Sequence, residues 1–269
     1  MTAAAAPDVL TPARLTLLQP MRAPRMPRDI EACDARGVLV TALGSIGPSR
    51  LPLVTALQPE GIVILHMLTQ LVHRPRVITL DTGRLPAETH DLIDRVRDRF
   101  GVEVEVILPA ATDVEPMVRE RGANLFYRSP EDRMRCCEVR KVLPLKRALA
   151  GEGGWITGLR RDQTASRRAT PKIARDLAND CIWKVAPLAD WSSERVWDYV
   201  RKHDLPYNTL HDEGYESIGC APCTRAVAPG EDERSGRWWW ETQDSSRECG
   251  LHLVPTGPAI AATRVEVTA

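Results

Sequence analysis

Two pairs of cysteines, Cys136-Cys137 and Cys220-Ala-Pro-Cys223, hold the most reactive chemistry in the sequence. A second ligand close in sequence to the first adds little loop-closure entropy, so two such pairs can close one metal site between distant segments. Four thiolates hold either zinc or an iron–sulfur cluster. The Cys-x-x-Cys half serves both, but structural zinc sites favour spacings of two to four residues over adjacent cysteines. Neighbouring residues on a helix point roughly 100° apart. That divergence suits a bulky cluster with separated corner irons better than a single small ion. Each pair alone has a plainer meaning: Cys-x-x-Cys is also a redox dithiol, and adjacent cysteines also pack as core residues.

A further cysteine lies near the C-terminus in Glu248-Cys249-Gly250-Leu251-His252. Glycine after the thiol allows the backbone to adjust, and an imidazole three residues on can stabilise thiolate, the pattern of a nucleophile, although an isolated cysteine on a tail more often has no such role. A thiolate attacking an anionic substrate needs cations to offset charge repulsion. Arg140, Lys141, Arg234 and Arg237 are the candidates, although any one of them alone reads equally as a solvated surface charge. Cys33 and Cys181 carry no motif and read as ordinary residues.

The elements that must position these groups alternate. Residues 1–28 have no clear periodicity and read as a leader. Glu31 to Leu43 reads as a helix, and the glycine-containing 44–48 stretch as a turn, since no Lys-Ser/Thr follows it. Leu51 to Leu57 reads as a buried strand, Gln58 to Gly61 as a tight loop and Ile62 to Val72 as a helix. Arg76 to Leu80 is a strand ending in Asp81-Thr82-Gly83. Pro86 opens a helix to Phe100, and Val102 to Leu108 alternates valine with glutamate as a half-buried strand does. Asp113 caps a helix to Glu120. Arg135 to Ala150 reads as one helix carrying the adjacent cysteines, bent near Pro144. Trp155 to Gly158 and Lys184 to Leu188 are short strands, and Ser192 caps a helix to His203. Beyond Asp204 the pattern is irregular, yet it contains Trp238, Trp239 and Trp240, which argue for a packed segment. Strands alternating with helices predict an α/β, doubly wound, mainly parallel sheet. Ligands bind such sheets beyond the carboxyl ends of the strands. The strand-end segments Gln58–Gly61, Asp81–Gly83 and Gly158–Arg161 should therefore line one crevice suited to an anionic nucleotide.

With 36 acidic and 36 basic residues among 269 the chain has no formal net charge, which favours neither a nucleic-acid nor a membrane partner. Positive charge is nonetheless local, at Arg160, Arg161, Arg167 and Arg168 and again at Arg234 and Arg237. An odd cysteine count and an N-terminus without a signal-peptide pattern predict reduced thiols and a cytoplasmic protein. The longest apolar stretch, Gly61 to Val72, is too short to span a bilayer.

Five motifs, in order, resemble the assimilatory adenylyl-sulfate reductases of the phosphoadenylyl-sulfate reductase family. They are Cys136-Cys137-Glu-Val-Arg140-Lys141, Gly158-Leu-Arg160-Arg161-Asp162-Gln163, Cys220-Ala-Pro-Cys223, the 229–240 run ending Arg237-Trp-Trp-Trp240, and Glu248-Cys249-Gly-Leu-His252. The resemblance covers about Leu51 to His252 and implies an adenine nucleotide alpha hydrolase-like fold. It also implies a [4Fe-4S] cluster on Cys136, Cys137, Cys220 and Cys223, since the paired cysteines mark the branch acting on adenosine 5′-phosphosulfate. Cys249 would attack the sulfur, expel AMP and become S-sulfocysteine, which thioredoxin or a similar dithiol protein resolves to release sulfite. Lys141, Arg161, Arg234, Arg237 and His252 match the family's substrate contacts, and Leu80, Asp81, Thr82 and Gly83 would lie near adenine and ribose. Gly158 and Arg160 belong to the same nucleotide site. In the phosphate loop, Thr55, Gln58 and Glu60 keep polar groups where Leu57 and Pro59 leave the family pattern. The implied organisation is a leader (1–28), a nucleotide-binding reductase domain (29–240) and a catalytic tail (241–269). With seventeen residues after His252, the reductant is expected to be a separate protein. Two alternatives stand beside this reading. One is the related reductase of the 3′-phosphorylated nucleotide, and the other a zinc-stabilised RNA-modifying or RNA-binding module of similar fold.

Overall fold

A computed structural model of the chain describes residues 29–241 together with Gly250 and Leu251. The expected leader and most of the expected tail, including Cys249 and His252, lie outside the described residues.

Six short strands form one sheet in the order β3-β2-β1-β4-β6-β5. They are β1 (Leu53–Val54), β2 (Val77–Leu80), β3 (Val104–Ile107), β4 (Gly154–Ile156), β5 (Ile173–Asp176) and β6 (Ile182–Val185). All pairings are parallel except β5 with β6. Successive strand residues point to opposite faces, and the core follows that period. Leu53, Val77, Ile156 and Val185 pack on one face with the helices α1 (Ala35–Ile46), α2 (Pro59–Thr69), α3 (Ala87–Phe100) and α7 (Ser193–Lys202). Val54, Ile78 and Trp155 face the other side, where α6 (Leu143–Leu149) covers them through Leu145 and Leu149. With both faces covered, the central strands read as unbroken apolar runs, as parallel sheets do.

Helix boundaries follow local chemistry. In α3, Thr89, Leu92, Ile93 and Val96 are buried at the 3–4 spacing of one helix face. Gly101 ends that helix in the left-handed region. Ser192 caps α7 by accepting the Arg195 N–H. Helix α2 starts earlier than its apolar run, at Pro59, because proline suits the first helical position and Gln58 serves as its N-cap. The expected tight loop over Gln58–Gly61 is thus a helix N-terminus.

Other expectations shift. The helix expected over Glu31–Leu43 lies at Ala35–Ile46, taking in the start of the expected 44–48 turn, and Asp113 is in the first turn of its helix, which Ala110 precedes as N-cap. The single helix over Arg135–Ala150 is three pieces: α5 (Pro130–Cys137), a π-helical turn (Glu138–Val142) and α6. Pro144 has no N–H to give the carbonyl four residues back, and its ring crowds that carbonyl. The chain widens instead, and Leu143 donates to the Glu138 carbonyl five residues earlier. Strand β5 was not anticipated, because half of its four residues are charged. It is held by antiparallel pairing to β6, with Asp180 and Cys181 at positive φ in the connection. The strand expected over Lys184–Leu188 lies at Ile182–Val185. Among the described residues after α7 there are only short 3-10 turns and one bridge, Thr224 with Arg237. Helix α4 (Ala111–Arg121) completes the set. Among the described residues no helix is long and apolar enough to cross a membrane.

Candidate active site

The sheet order reverses at β1. The chain runs from β1 outward to β2 and β3, then returns to place β4 on the other side. Such a switch point leaves a crevice beyond the carboxyl ends of the two strands, and a cavity of about 200 Å³ lies there. The segments after β1, β2 and β4 all contribute: Thr55, Gln58 and Glu60; Leu80 and Thr82; Gly158 and Arg160. Lys141, Arg234, Arg237 and Cys220 complete the set of sequence candidates on its walls, and Leu251 lines it as well. Asp81, Gly83 and Arg161 are not on the lining. Asp81 instead accepts from the Gly83 N–H and faces His90, and Arg161 reaches Glu31 and the Thr170 carbonyl.

The loop after β1 is shaped by close approach. The Thr55 hydroxyl accepts from the Leu57 N–H, and Leu57 takes a positive φ of 55° with its side chain fully buried. A Cβ on Gly61 would lie 1.9 Å from the Thr55 hydroxyl oxygen, so only glycine fits there. Gln58 accepts from the Ile218 N–H, tying this loop to the irregular segment that carries Cys220.

One wall is a carboxylate–guanidinium network. Arg160, 1% exposed, donates from Nε to Glu60 (2.7 Å) and from Nη2 to Glu233 (3.1 Å), and it also pairs with Asp162. Gln163 bridges the Arg160 N–H and Glu60, and accepts from Arg167. Burial pushes the Glu233 carboxyl up to about 7 against the pull of Arg160, and the charge of Glu60 adds to the rise.

The other wall carries the thiols. Cys136, Cys137, Cys220 and Cys223 are all buried and belong to one cluster with Leu125, Phe126 and Trp238. None is in a disulfide. The Thr82 hydroxyl and Cys220 Sγ lie 3.2 Å apart, linking the strand β2 loop to this cluster. Burial raises the Cys220 thiol, but Lys141, the Thr82 hydroxyl and Arg237 outweigh it and hold Cys220 below the ordinary thiol range. Burial and the neighbouring Cys220 push Cys223 up to about 12. Burial also raises Cys136, opposed by Arg140. Lys141 projects from the π turn into the space between cavity and thiols, and Arg140 donates to the Thr82 carbonyl (2.7 Å). Among the described residues, no three His, Cys, Asp or Glu are arranged to hold a single metal ion.

Sequence reasoning missed Arg133, Trp155, Glu233 and Glu241. Trp155 lines the cavity and donates its indole N–H to Asp176. Arg133 and Glu241 form an ion pair with side-chain exposures of 1% and 3%. No spacing rule links residues so far apart.

Residues 51–226 match the phosphoadenosine phosphosulfate reductase domain family. Adenosine 5′-phosphosulfate reductase of Burkholderia cepacia is 44% identical over 237 residues, covering 87% of this chain and 92% of that one. Phosphoadenylyl-sulfate reductase from Candida auris, solved as a phosphate complex, superposes with a TM-score of 0.61 at 27% identity, over 72% of this chain and 91% of that one. FMN adenylyltransferase from Candida glabrata shares the fold alone, with a TM-score of 0.53 at 12% identity over 74% of this chain and 64% of that one. The mostly parallel sheet and these neighbours fit the adenine nucleotide alpha hydrolase-like fold.

Proposed function

The chain belongs to the phosphoadenosine phosphosulfate reductase family, and on that premise we propose that it reduces adenosine 5′-phosphosulfate to sulfite and AMP in sulfate assimilation. One observation carries the reading: Lys141 and Arg237, both buried, stand where the switch-point cavity meets the four thiols, and Leu251, two residues after Cys249, lines the same cavity.

In the first step the Cys249 thiolate attacks the sulfur of the phosphosulfate. The S–S bond forms as the bond from sulfur to the bridging phosphate oxygen breaks, and that oxygen leaves with AMP. The phosphate leaving group needs little protonation, so orientation and charge stabilisation matter more than a general acid. Arg234, Arg237 and Lys141 supply positive charge, and His252 assists the thiolate or the sulfo group. In the second step a dithiol protein of the thioredoxin class attacks the S-sulfocysteine. It is oxidised to a disulfide, Cys249 regains its proton and sulfite departs, so the two electrons come from the dithiol. Thr55, Gln58, Glu60, Leu80, Thr82, Gly158 and Arg160 form the nucleotide pocket. Asp81 and Gly83 shape its β2 loop from behind, and Arg161 holds the β4 loop from outside.

The donor set fits a [4Fe-4S] cluster: four buried thiols outside any disulfide, with Lys141 and Arg237 favouring thiolate at Cys220. Cys136, Cys137, Cys220 and Cys223 would hold it. When bound, it supplies local charge and a fixed mount for Lys141. The enzyme would act in the cytoplasm, with no nucleic-acid or membrane partner.

The test is mass spectrometry of the protein after incubation with adenosine 5′-phosphosulfate in the absence of a reductant. A sulfo group on Cys249 is expected, and its absence from that residue overturns the mechanism. Cys249→Ser should abolish sulfite release while iron, labile sulfide and visible absorbance stay unchanged. A colourless zinc protein would remove the cluster, and equal turnover of the 3′-phosphorylated nucleotide would remove the substrate assignment.

A further inference from the structure

Arg237 is an unusual cation. It is 6% exposed, its Nε has no hydrogen-bond partner, and it makes no ion pair among the described residues. A long, flexible guanidinium in that position loses rotamer entropy, and no carboxylate among the described residues holds it. Its placement must come from packing. Two contacts supply it. The guanidinium carbon lies 4.9 Å from the centre of the Trp238 ring. Gly219 leaves the space it fills, since a Cβ there would sit 2.1 Å from Nη2.

The ring is in turn held by groups outside the cavity. Trp238 adopts a positive φ of 46°, donates its N–H to the Cys223 carbonyl and is 1% exposed. Arg133, on α5 three residues before Cys136, places its own guanidinium carbon 4.6 Å from the same ring centre. It donates from Nε to Glu241 at 2.5 Å, and the Glu241 N–H returns to the Trp238 carbonyl at 2.9 Å. The Arg133–Glu241 pair and the Trp238 ring thus form a closed clasp. It joins the helix bearing Cys136-Cys137 to the segment bearing Cys220, Cys223 and Arg237.

We propose that Arg133 is a positioning residue for the reaction: through Trp238 and Glu241 it fixes the Arg237 guanidinium on the cavity wall. The proposal rests on the reductase reading above, whose own test is the adduct on wild-type Cys249. A lysine at position 133 keeps a charge opposite Glu241 but loses the planar face that lies over the indole. The experiment is a double-mutant cycle in the holoenzyme with Arg133→Lys, Arg237→Ala and both together. It reads kcat and KM for adenosine 5′-phosphosulfate. Arg133→Lys should lower kcat ~10-fold, the scale of a small misplacement, with KM changed less than ~3-fold. Added to Arg237→Ala it should cost nothing further, within ~2-fold, because the group it positions has gone. Losses that multiply across the cycle overturn the proposal and leave Arg133 as structural support only. An Arg133→Lys enzyme with unchanged kcat overturns it too. Should that variant fold poorly, Glu241→Gln takes its place, with an expected ~3-fold loss of kcat that must likewise vanish in the Arg237→Ala background. An adduct on wild-type Cys249 alongside multiplied losses would remove the clasp and keep the activity; no adduct would remove the activity itself.

Discussion

On the wall built from the β4 loop, one guanidinium meets three carboxylates: Arg160 contacts Glu60, Asp162 and Glu233. On the thiol wall, Arg237 lies against an indole ring and pairs with no carboxylate among the described residues. Both arginines are buried, so the contrast cannot come from solvent. A buried charge with matched partners is a fixed strut, costly to break and with little left to offer a ligand. A buried charge held only by packing has its field available to whatever anion enters. The cavity thus separates support from chemistry, with Arg160 neutralised by its own carboxylates on one wall and Arg237 left without one among the described residues on the other.

Removing each cation should give opposite signatures. Arg237→Ala is expected to lower kcat/KM by ~100-fold, the scale for losing one preorganised donor, with a smaller effect on unfolding in urea than Arg160→Met. A large stability loss with little change in rate would break the comparison. Arg160→Met should cost about 3–5 kcal/mol in urea unfolding, because Glu60 is left buried without its partner. A third variant sharpens the electrostatics. The Glu233 carboxyl is raised to about 7 in the folded protein, so the native state keeps its proton where the unfolded chain has lost it. Stability from this group is present below the ordinary carboxylate range and is lost as pH rises from about 4.5 through about 7, by at most about 3 kcal/mol. Glu233→Gln should flatten that slope. An unchanged slope would show that Arg160 already holds Glu233 ionised, making the network wall as fully paired as it looks.

The fold was legible where the pattern is local and repeated. The alternation of apolar runs placed β1 to β4 in a parallel sheet, and the segments ending them were expected to share a crevice; of those segments Gln58, Glu60, Thr82, Gly158 and Arg160 line the cavity, while Asp81, Gly83 and Arg161 do not. The π turn was visible only as a bend at Pro144. The missing N–H is fixed by the sequence, but whether the chain bends or widens to absorb it depends on how α5 and α6 pack on either side. Strand β5 was invisible because two charged residues in four give no apolar signal, and only pairing with β6 makes it a strand.

For the site, residue types and their spacing fix the kinds of groups: thiols in two pairs, clustered arginines, and a cysteine beside glycine and histidine. Those are properties of residue type and short spacing, which folding does not alter. How each charge is used follows from the packed chain. Arg160 and Arg161 are neighbours in sequence, yet one enters the cavity network and the other turns out to Glu31. Arg133 and Glu241 are 108 positions apart and meet in the interior. Whether a charge is neutralised or exposed to a ligand depends on a few ångströms of approach in a low-dielectric interior, a distance that only the packed chain sets.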